Sequence, residues 1–498
     1  MYSVIYRTNP DLRPSALCSL LQRYGVGHII ECDSKCTPEV PSREDEVLLI
    51  NGDHDISCAA IRQGTFRTAR LPQTFAVWDS HLQEAVVAVR VSNRTFRESL
   101  AANPDLASTA RALAQRKDLA STTYQDFCSN VASAVGGSFS DSGVHQYFAK
   151  VANGRGIQKL LDEIRMYQSL PTTLRDYYPR LLFSSEEDSG AVTMATEFRD
   201  CPNLRDLLLN NHISVAGAAD ILAQVLDYEY NHAFQQHKQP TPANYIRDYH
   251  FHRAWRRLTL SAEIDPIFGP LIAAPWLEVN GRRIASVPSM LLRLEQDAAV
   301  VNQRLDPGGV SPFVHADFHP GNILYDTTSD RFWLVDPRGY PVCDIYYDLG
   351  KLAQSSRSCY DLLHEGRHVV SYAVEGDTAV IDYEFVAPEL RAEYRELHER
   401  LQPIVRRVLK VEEEHEREKD VDLRVRFNEA MHLCSLMPFH IHKNAAPSLA
   451  VPIFAAGATR LAEVMDILGI HMEECAKGHA RGLERLEEMG SAEWRFEG

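Results

Sequence analysis

The chain has no excess of basic residues. Its 498 residues hold 52 Lys and Arg against 68 Asp and Glu, a net charge of -16. That balance argues against a nucleic-acid partner, whose phosphate backbone calls for a positive surface. It leaves a nucleotide ligand open, since that needs only a local cation, backbone N–H groups and a metal ion. No apolar run is long enough to span a bilayer. The best candidate, residues 445–459, contains Pro447 and Pro452 and stops at Arg460. The start, MYSVIYRTNP, lacks the basic and apolar regions of a secretory leader, so the cytoplasm is the expected compartment. The ten cysteines are scattered, and the nearest pair, Cys32 and Cys36, has no further Cys or His at zinc spacing. Reduced, mostly buried thiols are therefore expected. No repeat of fixed period is present.

What is there is an ordinary globular composition, 45% hydrophobic and 24% charged. The length predicts two or three domains. Residues 1–115 read as a small α/β unit, with strands in MYSVIY, HIIEC and EVLLI and a helix in LRPSALCSLLQRYG. Residues 116–210 read as strand-rich. VHQYFAKVA alternates, GRGIQKLLDEIRMYQSL is helical up to Pro171, and LLFSSEEDSGAVTMATEF reads as two strands joined by an acidic turn. From 211 to 498 the pattern is mainly helical, interrupted only by short strands at SPFVHAD, NILYD and RFWLVD. The fold class expected is α+β, a small β-rich lobe and a large helical lobe preceded by a small α/β domain. The acidic run Glu412 to Asp420 reads as a solvated helix face or a loop.

The strongest signal is VHADFHPGNILYD followed by FWLVDPRG. His315, Asp317 and Asn322 form an H-x-D-x-x-x-x-N pattern, and Asp336 ends an apolar strand fourteen positions after Asn322. Phosphoryl transfer explains this choice of residues. The step needs positioning and charge neutralisation more than covalent chemistry. Asp317 is the carboxylate to meet an acceptor hydroxyl and take its proton. Asn322 and Asp336 supply hard oxygen ligands for a metal ion.

This loop resembles that of aminoglycoside phosphotransferases and choline kinases, which carry H-G-D where eukaryotic protein kinases carry H-R-D. LVDPRG followed by DIYYDLGKL is similar to the metal-binding Asp and following helix of those families. The D-P-R-G form resembles phosphotransferase domains of bacterial surface-polysaccharide loci. The resemblance spans roughly residues 120–470. It implies a bilobal protein-kinase-like fold, ATP and Mg²⁺ as cofactors, and a small-molecule acceptor, a sugar or sugar derivative. It also implies that Asp348 braces the catalytic loop through backbone N–H groups, with Asp344 nearby.

Further parts follow in order. Lys150 lies on a strand and would reach the nucleotide phosphates; Glu163, thirteen residues on, lies on the next helix and could pair with it. The loop from Gly136 to Gly143 would cover the phosphates with backbone N–H groups, Gly136 and Gly137 first, although it lacks full G-x-G-x-x-G spacing; a plain hairpin turn explains it equally. Glu197 and Phe198, in TMATEFRD, would present backbone groups to adenine. YIRDYHFHRAWRR puts His250, Arg253 and Arg257 on one helical face. That face is a solvated basic surface, one paired with acidic residues of the same protein, or a site for an anionic acceptor. His440 and His442 read as core and helix-end histidines rather than metal ligands. Asp53, closing LLINGD, resembles the strand-end acid of sugar nucleotidyltransferases, but the unit is too short for that fold and lacks its Gly-rich loop.

Three functions stand open at this stage: a sugar-type kinase, an antibiotic phosphotransferase, and a pseudokinase scaffold. No D-F-G to A-P-E activation segment follows Asp336, which argues against a protein substrate.

Overall fold

The computed structural model of the chain describes residues 2–7, 28–33, 35, 38, 46–51, 75–78, 86–103, 105–116, 120–123, 137–141, 146–152, 156–186, 192–338, 341–411, 415–441 and 447–490. Gly136, Cys36, Asp53, His442 and the helix expected in LRPSALCSLLQRYG lie outside them. The architecture is mixed, with helices and several small sheets. The chain divides into two compact units. The first comprises Met1–Leu160, Pro179–Pro202 and Tyr325–Asp330; the second comprises Leu161–Tyr178, Asn203–Leu324 and Arg331–Gly498.

The first unit holds two sheets. Six strands run in the order His28–Asp33, Tyr2–Arg7, Glu46–Asn51, Val86–Ser92, Phe75–Trp78, Ala120–Thr123. The three strands read from sequence in this region are present, at Tyr2–Arg7, His28–Asp33 and Glu46–Asn51. Ala120–Thr123 pairs in parallel with Phe75–Trp78, which carries the sheet past residue 115. Helices Asn93–Ala102 and Leu106–Ala114 start at side-chain caps, Ser92 accepting from Thr95 N–H and Asp105 from Ser108 N–H. They cover the sheet with Phe96, Leu106 and Leu113, packed with Val4, Val47, Leu49, Val89 and Val91.

The second sheet of this unit is antiparallel throughout, ordered Gly137–Asp141, Gln146–Ala152, Val192–Glu197, Leu181–Glu186. Lys150 sits on one of its two inner strands, opposite Gly137 on one side and Met194 on the other. The segment read as a phosphate loop is thus strand from Gly137 to Asp141.

The second unit is mostly helical, as its sequence pattern indicates, but it also contains a four-stranded sheet that the pattern did not reveal. Arg282–Ala285, Trp276–Val279, Thr378–Phe385 and His368–Glu375 lie side by side in that order. Its strands join through tight turns at Asn280-Gly281, with φ of +49° and +76°, and at Gly376, with φ of +64°. Asn-Gly is the residue pair such a turn selects, because both central positions need positive φ. The strand expected in SPFVHAD is not one: residues 312–317 are turn, bend and loop, and only Ser311 makes a bridge, to Cys343. A strand there would hold the loop's N–H groups in a ladder. Here they turn inward to buried carboxyls instead.

Helix Ile345–Ser356 carries Asp348 and Lys351. Asp344 caps it, Oδ1 accepting from Tyr347 N–H at 3.0 Å. It lies against helix His415–Cys434 at Gly350, where a Cβ would stand 2.5 Å from Asn428 Cβ and 2.8 Å from the Glu429 nitrogen. On another side of that second helix, a Cβ on Gly457 would stand 2.9 Å from the Cys434 nitrogen. Only hydrogen fits at either crossing. The described free cysteines, Cys201, Cys343, Cys359, Cys434 and Cys475, are all buried. Among the described residues no helix is long and apolar enough to cross a membrane.

Candidate active site

The site begins with a turn that backbone geometry alone would resist. Ala316 has φ of +60° and Asp336 φ of +58°. For a residue with a Cβ this region costs about 1–2 kcal/mol. Two buried carboxyls hold the first of these turns in place. Glu229 Oε1 accepts the His315 N–H at 2.8 Å. Asp348 Oδ2 accepts from Ala316 N–H at 3.2 Å, and its Oδ1 from Phe318 N–H at 3.4 Å.

His315 is fully buried, and the backbone takes both its ring nitrogens. Asp317 N–H donates to Nδ1 at 3.2 Å, and Nε2 lies 2.9 Å from the Val335 carbonyl. With Nδ1 accepting, the proton belongs on Nε2. His315 therefore ties the loop to the chain just before Asp336, as a positioning residue. His319 extends the same loop, Nδ1 accepting the Gly321 N–H at 3.1 Å. Burial, above all, pulls its pKa down to about 4, so it is neutral.

Asp317 is presented beyond this scaffold. Lys351, one turn after Asp348, places Nζ 3.0 Å from Asp317 Oδ1. Burial lowers the Lys351 pKa and Asp317 opposes that effect; Arg338 and Arg253 lower it further. Asn322 donates Nδ2 to the Asp317 carbonyl at 2.9 Å, which turns its amide oxygen to the other side. Val335 N–H donates to the Asn322 carbonyl at 3.0 Å. Asp336 follows directly, so Asn322 and Asp336 leave adjacent backbone ladders together. An amide oxygen and a carboxylate suit a hard divalent cation that takes its other ligands from phosphate and water. Among the described residues no group of three or more His, Cys, Asp and Glu forms a protein-only metal site.

The other residues expected from the sequence lie in the following elements. Lys150 is buried in the first unit, its Nζ 5.9 Å from the Phe148 ring centre. Glu163 is buried in the second, on helix Ile157–Ser169. Burial first, then the charges of Glu163 and Asp336, push the Tyr167 hydroxyl up. Glu197 closes its strand; its N–H donates to Arg180 O at 2.8 Å and its carboxylate accepts from Arg199 at 2.7 Å. Phe198 follows it, half-buried.

Arg253 and Arg257 are buried, not a solvated face. Arg253 Nη1 donates to the Tyr347 hydroxyl at 2.6 Å, while Arg257 reaches the Ser435 carbonyl at 3.4 Å and lies over the Phe439 ring. His440 is buried and 3.1 Å from the Tyr360 hydroxyl.

Glu229, Lys351 and Arg338 were not singled out from sequence. Glu229 lies in the helical stretch Tyr228–Phe234 with no local signal. Lys351 had one: three positions after Asp348 on a helix is the same face.

Glu229 and Asp348 are fully buried, and their carboxyl groups act on each other. Burial is the main cause that raises both, Glu229 to about 7 and Asp348 well above the usual carboxylate range, so the pair holds a proton. The unfolded chain releases that proton near the ordinary value of 4.5. Its stabilising effect is therefore full below that value and lost as pH rises through about 7. One proton corresponds to a slope of about 1.4 kcal/mol per pH unit. Urea unfolding midpoints should fall between pH 5 and 7.5, and Glu229→Gln, which keeps an oxygen for His315 N–H, should flatten that fall. Equal slopes in both proteins would show that the pair carries no extra proton.

No protein-family model matches the chain, and no curated protein matches it. Solved structures do. A thermostable mutant of aminoglycoside phosphotransferase APH(4)-Ia, in its apo form, is similar at 14% identity and a TM-score of 0.35, over 66% of this chain and 89% of that one. Choline kinase LicA from Streptococcus pneumoniae is similar at 12% identity and a TM-score of 0.35, over 68% of this chain and 98% of that one. Choline kinase from Cryptosporidium parvum Iowa II is similar at 12% identity and a TM-score of 0.30, over 71% and 92%. At these scores the likeness is remote, and the functional reading rests on the site's own residues.

Proposed function

We propose that this chain transfers a phosphoryl group from ATP, with Mg²⁺, to a hydroxyl of a small metabolite, a sugar or sugar derivative of surface-glycan metabolism. One observation carries the reading: Asp317 stands on a strained loop whose N–H groups at His315, Ala316 and Phe318 are bound by buried Glu229 and Asp348. Strain held by dedicated partners points to function.

In this reading Asp317 accepts a hydrogen bond from the acceptor hydroxyl, orients its lone pair and takes the proton as the bond from that oxygen to the γ-phosphorus forms and the bond from the γ-phosphorus to the departing ADP oxygen breaks. Lys351, at Oδ1, favours the ionised carboxylate and fixes its rotation. Asn322 and Asp336 are the residues that would hold Mg²⁺, which neutralises phosphate charge when bound. Lys150, with Glu163 as its orienting acid, and Gly136 and Gly137 are assigned to the nucleotide phosphates. The backbone of Glu197 and Phe198 is assigned to adenine. We assign residues 116–210 and 211–498 to this activity and 1–115 to a separate module.

Calorimetric titration with ATP and GTP, each with and without Mg²⁺, tests the reading without knowledge of the acceptor. Mg²⁺-dependent binding of ATP is expected, weakened roughly tenfold or more in Asp336→Asn through loss of a charged metal ligand. If neither nucleotide binds, the proposal fails.

A further inference from the structure

Lys351, Arg338 and Arg253 come from three separate elements, and the two arginines gather around Tyr347 and Lys351, the lysine that pairs with Asp317. They are 8%, 9% and 9% exposed. Arg253 Nη1 and Arg338 Nη1 donate to one and the same atom, the Tyr347 hydroxyl oxygen, at 2.6 and 2.7 Å. Two guanidinium groups that meet on a neutral oxygen repel each other, and burial strengthens the repulsion. Their charges also act on Lys351, one turn along the helix from Tyr347. The arrangement is held firmly. The Arg253 guanidinium lies 5.1 Å from the Tyr249 ring centre and 4.9 Å from that of Tyr347, and Tyr347 in turn packs edge-on to His432 at 4.2 Å. The surrounding histidines add no positive charge of their own, because burial lowers the pKa of His250 and His432 and favours the neutral rings. A planar fork of N–H donors, pre-set against aromatic rings, matches the oxygens of a phosphate or carboxylate.

We propose that Arg253, Arg338 and Lys351 form an anion subsite, and that the acceptor carries a phosphate or carboxylate group that binds there while its hydroxyl meets Asp317. The assignment to an acceptor rests on the phosphotransfer reading; the anion subsite itself does not. The subsite disfavours a polycationic acceptor, which would bring further positive charge to three buried cations.

The test is titration of the full chain with inorganic phosphate and, separately, with acetate, in the presence and absence of Mg²⁺ and the imido analogue of ATP. Phosphorus NMR line widths and the shift in thermal midpoint are the readouts. Saturable phosphate binding is expected, and it should persist with the analogue bound. It should weaken roughly tenfold in Arg253→Met and in Arg338→Met, as loss of a charge-assisted bond implies. Arg253→Lys, which keeps the charge, should retain part of it. Arg400→Met, at an exposed helix pair with Glu396, should retain all of it. Preference for phosphate over acetate assigns a phosphorylated acceptor, and the reverse assigns a sugar acid. Three results would overturn the subsite: no saturable binding of either anion, binding unchanged in both Met variants, or phosphate displaced by the analogue, which would give the cations to the nucleotide. If the analogue itself fails to bind while phosphate binds through these arginines, the subsite stands and the kinase reading falls.

Discussion

Asp317→Asn should lower turnover with any accepted substrate by about 10²–10⁴-fold, the usual contribution of a positioned general base. The substitution keeps the shape of the side chain and removes its ability to take a proton. Asn322 holds the Asp317 backbone carbonyl, and His315 Nδ1 holds its N–H, so the loop itself does not depend on the carboxylate. Binding of ATP with Mg²⁺ should therefore survive in the variant. The measurement is a pair: calorimetric nucleotide affinity, and release of ADP with sugar and sugar-phosphate acceptors. Loss of turnover with retained affinity supports the assignment. Turnover near that of the unsubstituted protein would mean that Asp317 only positions the acceptor, as a loose transition state permits. Loss of both would mean that the carboxylate shapes the site before any substrate arrives.

Asp348→Ala should be the most damaging single change to the fold of this region, at about 3–5 kcal/mol, because it removes one partner from a buried polar network. Ala316 N–H and Phe318 N–H lose their acceptors, and Glu229 loses the neighbouring carboxyl it interacts with. The positive φ at Ala316 then has nothing to hold it. Asp348→Asn offers one oxygen where two are used, so it should fall between, at about 1–3 kcal/mol for one unsatisfied donor. Urea unfolding near pH 6 measures both. A value for Asp348→Ala below that for Asp348→Asn would show that the loop finds other partners and that the brace is dispensable.

The parts of this site that could be read from sequence were those set by spacing. His315, Asp317, Asn322 and Asp336 announce themselves because a loop and two short strands leave little choice of separation. Asp348 was reached through resemblance to known kinases. Glu229 was not reached at all: its role is fixed by a contact with a backbone N–H 86 residues away, and nothing in YEYNHAF distinguishes it from a surface acid. The same holds for Arg253 and Arg338, whose meeting point is the hydroxyl of a third residue. The missed sheet has a related cause. Its inner pairing joins Trp276–Val279 to Thr378–Phe385 in parallel, about a hundred positions apart, so neither strand shows its partner locally. Asn280-Gly281 is a local turn signal, but the strands it joins are four residues each and lie between helices Phe268–Ala273 and Val287–Gln296.

The hydrogen-only crossings at Gly350 and Gly457 set a rule for cutting this protein into pieces. The helix that bears Asp348 and Lys351 takes its height and rotation from main-chain atoms of helix His415–Cys434. That helix is clamped in turn by Pro447–Ile467. A fragment ending near residue 411 would keep every residue of the proposed chemistry and lose the jig that aligns it. For minimal fragments, domain fusions and tag placement, the catalytic segment and the carboxy-terminal helices therefore form one indivisible part.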